Sequence, residues 1–395
     1  MELRQIATCL GIEKYPEELE ELYTKVDLED TTICDPSRLE EMQSRYGAFG
    51  EYYGQIQKAA QEVLASRELL AWLNLSFAFC RDVTAMEARK MPFPPFDESV
   101  GRNLFGALLF AAEIPMMAER YRARGFGEEM IARCIGNLGR NIWVCELTLG
   151  KTVLTQGYYG WLTHYTKAVI FDHKGLNYQP SVWQPNSLVL KNKKSGEFVI
   201  VMIQGRFHKN GLVLGSAGAV EEEDSFDADF SEQIDAFFGH PVKDGRVLSV
   251  RRCFLKSEWS AVLRPGDEVV NLHIPRNTNF DPAYVEESLR EGLALSKRYF
   301  PELHLKGAIC CSWMLDPAVA RILGKGSKIA SFSARFEKHP VNDASGTACM
   351  GYVFPGVHCA TEELPEKTTL QRGVKALALS GEFIQWTMGV MTDTL

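Results

Sequence analysis

Residues 268–300, EVVNLHIPRNTNFDPAYVEESLREGLALSKRYF, predict a β-strand that passes through a short polar loop into an α-helix. In the strand, the apolar Val270, Leu272 and Ile274 are expected to face one side of a sheet. Asn271 and His273 alternate with them and are expected to face the other side. Ligands of open α/β sheets bind at the carboxyl ends of strands, so this strand end is a candidate functional site.

The start of the helix is predicted from Asp281 and Pro282. An aspartate at the N-cap accepts hydrogen bonds from free backbone N–H groups, and proline suits the first helical position because its nitrogen has no hydrogen to donate. Val285 and Leu289 begin an apolar stripe at helical spacing, which indicates packing on a sheet. A capping aspartate occupies the donors that a phosphate would need, so the helix start alone is a poor phosphate site.

The elements that follow predict an α+β fold class. LKGAICCSWML (305–315) reads as a buried strand and DPAVARIL (316–323) as a helix. A strand, a helix and a strand in this order indicate two parallel strands joined by a right-handed crossover. SKIASFSARFEKH (327–339) is expected to form a further alternating strand. KTTLQRGVKALALSG (367–381) then predicts a helix, and EFIQWTMGVM (382–391) a closing strand.

The chain before these elements changes character near residue 155. Segments such as 51–83 keep apolar residues at helical spacing, and short β-rich runs take over only after about residue 160. SEWSAVLRPGDEVVNLHIP (257–275) predicts two strands around an Arg-Pro-Gly-Asp turn. We therefore expect a helical N-terminal domain over residues 1–155 and an α+β domain with a mixed sheet and flanking helices over 156–395.

Composition narrows the function classes. The 395 residues carry 43 Lys and Arg against 51 Asp and Glu, a net charge of −8, and this acidic balance argues against nucleic-acid and membrane partners. Glu2 and Arg4 interrupt the N-terminal segment, and the apolar run LFGALLFAAEIPMMAE is too short to span a bilayer, so we expect a cytoplasmic protein. Ten scattered cysteines without a Cys-x-x-Cys pair predict buried thiols and no metal site.

The polar loop after the first strand is a candidate anion site. It supplies one cation and several side-chain and backbone donors, but it contains no glycine. The candidate binding residues are Asn271, Arg276, Asn277, Thr278 and Asn279. His273 is a candidate general base because an imidazole exchanges protons near neutral pH. A simple polar turn and a structural histidine are the alternative interpretations.

Several segments resemble a bacterial family of two-domain, GNAT-like acyltransferases. LHIPRNTNFDPAYVEESLREGLALSKRYFPE (272–302) and CCSWMLDP (310–317) resemble its C-terminal half. RYRARGFGEEMIARCIGNLGRNIW (120–143) is similar to its helical N-terminal domain. GWLTHYTKAVIFDHKGLNYQPSVW (160–183) resembles the entry into the second domain, and LPEKTTLQRGVKALALSGEFIQWTMGVM (364–391) its terminal helix and strand.

The resemblance implies a GNAT-like fold in which two parallel strands, here 268–274 and 306–314, splay apart to admit acyl-CoA. The pyrophosphate would rest on the loop 275–280, which departs from the glycine-containing loop of the family. The implied reaction is direct transfer of an acyl group from a thioester to a small-molecule amine or peptide acceptor, with His273 as base and with Ser312 and Asp316 as polar neighbours. The alternative is a non-catalytic ligand-binding or regulatory protein on a degenerate GNAT frame. The sequence predicts no oligomeric state.

Overall fold

The computed structural model describes residues 2–395 and divides the chain into two compact units, Met1–Asp172 and His173–Leu395. The predicted division lay between residues 155 and 156. The helix that follows residue 155 belongs to the first unit, because the Tyr159 hydroxyl donates to Glu113 Oε1 at 2.7 Å. Arg120 Nη1 of the same unit donates to the Thr166 carbonyl at 2.7 Å.

Within residues 2–170 the regular elements are helices, as the sequence predicts. The α-helices are α1 (Leu3–Cys9), α2 (Glu18–Tyr23), α3 (Pro36–Tyr46), α4 (Tyr53–Ala65), α5 (Arg67–Asp82), α6 (Ala85–Ala88), α7 (Val100–Asn103), α8 (Phe105–Ala123), α9 (Glu128–Ile135), α10 (Asn137–Leu149) and α11 (Gln156–Thr166). Helix α8 is apolar on nearly all sides and is the central helix of this unit, since Leu108 and Phe110 have no exposed surface.

Among residues 2–395, no single helix is long and apolar enough to cross a membrane. The segments Gly50–Ala65 and Arg67–Asp82 reach that length and composition only as a pair, and the two are bent by 109° relative to each other.

The second unit is built on two sheets. Its strands, with the one that spans the division, are β1 (Phe171–His173), β2 (Leu176–Val182), β3 (Ser187–Asn192), β4 (Phe198–Met202), β5 (Gly205–Phe207), β6 (Phe226–Ala228), β7 (Ser231–Glu232), β8 (Ala236–Lys243), β9 (Arg246–Val247), β10 (Arg252–Leu255), β11 (Trp259–Leu263), β12 (Glu268–His273), β13 (Ala308–Ser312), β14 (Phe336–Pro340) and β15 (Thr387–Met391). Its helices are α12 (Pro282–Tyr299), α13 (Pro317–Leu323), α14 (Lys328–Ser333), α15 (Met350–Val353) and α16 (Thr369–Leu379).

A six-stranded sheet, in the order β1-β2-β12-β13-β15-β14, carries the predicted parallel pair. β12 and β13 run parallel, while β2 and β15 flank them in antiparallel ladders. A second, seven-stranded sheet follows the path β10-β8-β4-β3-β11, with β7 and β9 also paired to β8, and β5 pairs with β6. The predicted α+β class, with a mixed sheet and flanking helices, is confirmed.

The six-stranded sheet is covered on both faces. Val269, Ile309 and Val390 of this sheet share a buried core with Val189 and Ile200 of the seven-stranded sheet. The opposite face packs on α12, the crossover helix between the parallel strands. Because β12 and β13 are parallel, their carboxyl ends lie at the same end of the sheet, and the helices α12 and α13 start just after them in the chain.

The two strands around the Arg-Pro-Gly-Asp turn form, but they join different sheets rather than one hairpin. β11 pairs with β3, and β12 pairs with β2 and β13. The turn is held against Trp183, whose backbone N–H donates to Asp267 O at 2.8 Å and whose carbonyl accepts from Gly266 N at 2.8 Å. These bonds turn the chain from one sheet into the other.

The segment 327–339 is only partly a strand, so that prediction was wrong over its first half. Ser327 caps a helical turn, since its Oγ accepts from Ala330 N at 3.1 Å, and α14 follows. The strand β14 begins at Phe336. A serine N-cap outweighed the alternating pattern, and the segment contributes a short helix beside α12.

Candidate functional site

The two parallel strands stop pairing before they end. Their common ladder runs over three residue pairs and ends at Leu272 opposite Cys310. On its outer side β12 stays paired with β2 as far as His273, and β13 stays paired with β15 as far as Ser312. Each strand therefore continues past the last pair that joins them. Beyond Leu272 and Cys310 the two carboxyl ends are no longer joined by ladder pairs, at the position where the sequence predicts a splay.

Four polar side chains form a block at the carboxyl end of β12 and the facing start of β2. His273 lies opposite Asn177, and Asn271 opposite Gln179, across the ladder of β2 and β12. The hydroxyl of the intervening Tyr178 donates to the Ser288 carbonyl of α12 at 2.6 Å. Because side chains alternate along a strand, the four polar side chains face away from α12. We call Asn177, Gln179, Asn271 and His273 the polar block.

The imidazole of His273 is oriented within the polar block. His273 Nε2 lies 2.8 Å from Gln179 Oε1. This contact joins the imidazole to a side chain of the neighbouring strand and fixes the orientation of the ring.

Two acceptors of the polar block lack partners. Oδ1 of Asn177 and Oδ1 of Asn271 are buried and have no hydrogen-bond partner within residues 2–395. Buried side-chain oxygens are nearly always hydrogen-bonded in folded proteins, so each unpaired one calls for an explanation. Hydrogen-bond donors of a bound ligand would satisfy both oxygens.

Ser312 and Asp316 bind backbone groups at the end of β13. Ser312 Oγ accepts from Met314 N at 3.2 Å. Asp316 Oδ1 accepts from Ala318 N at 2.7 Å, and its Oδ2 accepts from Gln385 N at 2.8 Å. Burial raises the pKa of the Asp316 carboxyl, against the opposing effect of these backbone N–H groups.

The structure does not bring Ser312 onto the face that carries His273. Leu272 lies opposite Cys310, and Ser312 follows Cys310 by two residues, so Ser312 shares the face of Leu272. Cys311 shares the face of His273. Burial, followed by the Asp343 carboxylate, raises the pKa of Cys311 to about 11, so that cysteine is a neutral thiol at pH 7.

Arg276, the cation of the loop, donates to backbone carbonyls of α15. Its Nη2 lies 3.0 Å from Gly351 O and its Nη1 3.2 Å from Tyr352 O. The guanidinium carbon stands 5.6 Å from the centroid of the Tyr352 ring. Arg276 therefore connects the loop to the short helix α15.

The rest of the loop is also fixed in place. Asn277 adopts φ +67°, the left-handed conformation that glycine supplies in other loops and that asparagine tolerates. The Thr278 hydroxyl lies 2.9 Å from Gly175 O. Asn279 Oδ1 accepts from Asp281 N at 3.0 Å. The loop therefore makes a left-handed turn without a glycine.

The sequence located His273 and Asn271 but missed Asn177 and Gln179. These two residues alternate with apolar neighbours in 176–179, and that alternation was the available signal. It indicates a face of a strand but not which strand lies alongside. Only the ladder between β2 and β12 brings them next to His273. Among residues 2–395, no group of three or more His, Cys, Asp or Glu is arranged to hold a metal ion.

The parallel strands whose ladder ends early, the crossover helix between them and the polar loop define a GNAT-like domain preceded by a helical unit. Residues 176–391 match the family model described as the GNAT-like C-terminal domain, and residues 8–168 match the N-acyltransferase N-terminal domain. The chain belongs to the family that combines these two domains. No protein with a curated function matches the chain.

Solved structures share the fold over nearly the whole chain. An acyltransferase in complex with decanoyl-CoA is 17% identical with a TM-score of 0.67, and one in complex with decanoyl-CoA and teicoplanin is 17% identical with a TM-score of 0.65. An acyltransferase mutant in complex with octanoyl-CoA is 16% identical with a TM-score of 0.65. Each alignment covers 99% of this chain and 99% of the other.

Proposed function

We propose that this chain is an N-acyltransferase that transfers an acyl group from acyl-CoA to an amine. The observation that carries the proposal is the ladder that ends at Leu272 and Cys310 while both outer ladders continue. An extended pantetheine arm has two amides and can pair with an open strand edge, as an added β-strand does. The solved acyltransferases of this fold that bind acyl-CoA support the same donor.

The polar block supplies the groups for direct aminolysis of a thioester. We propose that the acceptor amine donates to the unpaired oxygens of Asn177 and Asn271 and attacks the thioester carbonyl carbon. His273 takes one proton from the attacking nitrogen as the carbon–sulfur bond breaks. The leaving thiolate takes up a proton from the imidazolium or through water, so the products are an amide and CoA. Burial keeps Cys311 a thiol at neutral pH, and the proposal assigns no acyl-enzyme to that residue.

The loop and the end of β13 are assigned supporting roles in this proposal. The loop residues Arg276, Asn277, Thr278 and Asn279 are proposed to receive the pyrophosphate of CoA, whereas Asn271 is assigned to the acceptor amine. Asn277 adopts the left-handed conformation in the loop where the family uses glycine, so the backbone can turn there without one. Asp316 is proposed as a polar neighbour near the leaving sulfur, whereas Ser312 lies on the other face of the sheet and is left out of the proposed site. The acceptor class is a small-molecule amine or a peptide, in keeping with the glycopeptide found with one structural relative.

The first test is donor binding and turnover by the full chain. Wild-type protein is titrated with CoA, octanoyl-CoA and decanoyl-CoA, and thermal unfolding is followed. Free ligand at 100 times its dissociation constant should raise the free energy of unfolding by about 2.7 kcal/mol. Turnover is measured as CoA thiol release with a panel of amines, and the amide product is identified by mass. Neither binding nor product at millimolar donor would remove the proposal.

A second candidate is a ligand-binding or regulatory protein on a degenerate GNAT frame. It is favoured by the commitment of Arg276, Ser312 and Asp316 to backbone groups. This candidate predicts that octanoyl-CoA binds without any release of CoA in the presence of any amine. It further predicts that His273→Ala changes ligand affinity less than threefold. The transferase predicts product with the wild type and a large loss in the variant.

A further inference from the structure

Arg246 at the start of β9 is a partly buried cation without a counter-ion. Its Nη1 is buried and has no hydrogen-bond partner within residues 2–395. Burial lowers the pKa of this guanidinium, the Asp316 carboxylate opposes that effect, and the Arg321 guanidinium adds to it. Buried charges in folded proteins are normally paired, because a charge that leaves water must regain its lost hydration from other polar groups. An arginine in this state indicates a site for an anion.

The backbone of Arg246 is fixed at the end of the six-stranded sheet that carries the polar block. On one side, a Cβ added to Gly211 would lie 3.0 Å from Arg246 Cβ, so that loop packs closely on β9. On the other side, a Cβ added to Gly245 would lie 3.9 Å from Thr387 Cγ2. Thr387 lies opposite Ser312 in the ladder of β13 and β15. Arg246 therefore begins beside the carboxyl end of β13.

The groups near Arg246 are two charges and one amide. Both oxygens of Asp316 accept from backbone N–H groups, one of them that of Gln385 at 2.8 Å. The Gln385 side chain is 4% exposed, and its Nε2 donates to Ala217 O at 3.0 Å. Its Oε1 is buried and has no hydrogen-bond partner within residues 2–395. Arg321 is exposed on α13. Two guanidinium groups, one carboxylate and one unpaired amide oxygen therefore meet in this region.

The charges and the unpaired groups indicate the class of ligand. The guanidinium groups outnumber the carboxylate by one charge, which favours a monoanion over a phosphate dianion. We propose that Arg246 and Arg321 bind a free carboxylate of the acceptor, and that Gln385 Oε1 accepts from an N–H next to that carboxylate. A carboxylate with an adjacent N–H is the C-terminal residue of a peptide.

The position of the site sets the length of the acceptor. β12 and β15 are separated by one strand, so the amine at the polar block and the carboxylate are about 10 Å apart. About three extended residues span that distance. The acceptor is therefore a short peptide with a free C-terminus. This inference rests on the proposed function, because it specifies the acceptor of the same reaction.

The first test measures binding without chemistry. Calorimetry compares N-acetyltriglycine with its C-terminal amide, neither of which has an amine to acylate. Wild type should bind the carboxylate about tenfold more tightly, because charge-assisted hydrogen bonds are about twice as strong as neutral ones. Arg246→Gln should reduce that preference to less than twofold. The control Arg252→Gln removes an exposed arginine of β10 and should keep the wild-type ratio.

The second test separates binding from a structural role. Arg246→Met removes the charge and keeps an unbranched side chain. It should melt at or above the wild-type temperature, because no partner within residues 2–395 is left unpaired at Nη1. It should also lose the preference for the carboxylate as Arg246→Gln does. A melting temperature several degrees below wild type would assign Arg246 to the support of the fold and overturn the proposal.

The third test measures transfer from octanoyl-CoA to triglycine and to triglycinamide. The kcat/KM value should be about tenfold higher for triglycine, and the ratio should fall below twofold in Arg246→Gln. Three results would overturn the carboxylate site, and product formation would still leave the transferase standing: equal use or binding of the two forms, a preference that survives Arg246→Gln, and no binding of either acetylated peptide at millimolar concentration. A carboxylate preference in calorimetry without turnover from any thioester would support the site and remove the transferase.

Discussion

His339 provides a sharp test of the energetics of the second unit. It lies on β14 opposite Met388, is 5% exposed, and neither ring nitrogen has a hydrogen-bond partner within residues 2–395. Trp183 packs edge-on against it, with ring centroids 5.7 Å apart. Burial lowers the pKa of His339 from 6.5 to about 4, because a protonated ring would have to lose its hydration. The folded protein therefore keeps this ring neutral.

The sign of the pH dependence follows from proton counts. As pH falls, the unfolded chain takes up a proton near pH 6.5, whereas the folded chain takes it up only near pH 4. Between these values the unfolded state binds more protons, so the free energy of unfolding falls as pH falls. The loss from His339 is about 2 kcal/mol between pH 7 and pH 4.5 and about 3 kcal/mol once the folded pKa is passed.

The perturbation is His339→Leu, which removes the titrating group and leaves no polar atom to pair. Urea unfolding at several pH values between 7 and 4.5 gives the free energy of unfolding of wild type and variant. From pH 7 to pH 4.5 the wild type should lose about 2 kcal/mol more than the variant. The control is His358→Leu, at an exposed position. Parallel pH curves for wild type and His339→Leu would refute the reasoning.

Three further predictions concern the site and its support. His273→Gln should lower kcat about 10²- to 10⁴-fold with little change in melting temperature, and a loss below tenfold in the transfer assay would exclude it as the base. Gly292→Ala places a Cβ 2.1 Å from the Tyr178 ring and should lower the free energy of unfolding in urea by about 1–3 kcal/mol. The control is Gly54→Ala, which has open space around it and should not be destabilised in this way. Equal losses in the two variants would contradict this packing. Asp316→Asn leaves one backbone N–H without its acceptor and should cost about 2 kcal/mol of unfolding free energy, and unchanged stability would show that the cap is dispensable.

Local signals in the sequence predicted the strand–loop–helix unit well. The Asp281 side chain accepts from Ala283 N at 3.2 Å, and α12 begins at Pro282, as the capping pattern indicates. These features depend on residues within one turn of each other. The two strands predicted around Gly266 both form, but the sheet that each one joins depends on distant partners such as Trp183. Local pattern determines where a strand lies but not which strand it pairs with.

The candidate site was predictable to the same extent. Alternation in β12 placed His273 and Asn271 on one face, and the register agrees. The hydrogen-bond partner that orients the imidazole, Gln179, lies 94 residues away, and no local pattern links the two. Ser312 was grouped with His273 because both end parallel strands. The register shows the two residues on different faces, which strand position alone does not determine.

The loop lacks the glycine of the family, so both its backbone turn and its positive charge need a physical explanation. Asn277 in the left-handed region explains the first, so the turn does not need glycine. Arg276 donates to two carbonyls of α15, so its guanidinium also holds the loop in place. Lys328 and Arg335, beyond the loop, are paired with the carboxylates of Asp281, Glu286 and Asp393. The positive charge around the loop is therefore already balanced within the chain, and an anion bound at the loop would have to compete with those contacts.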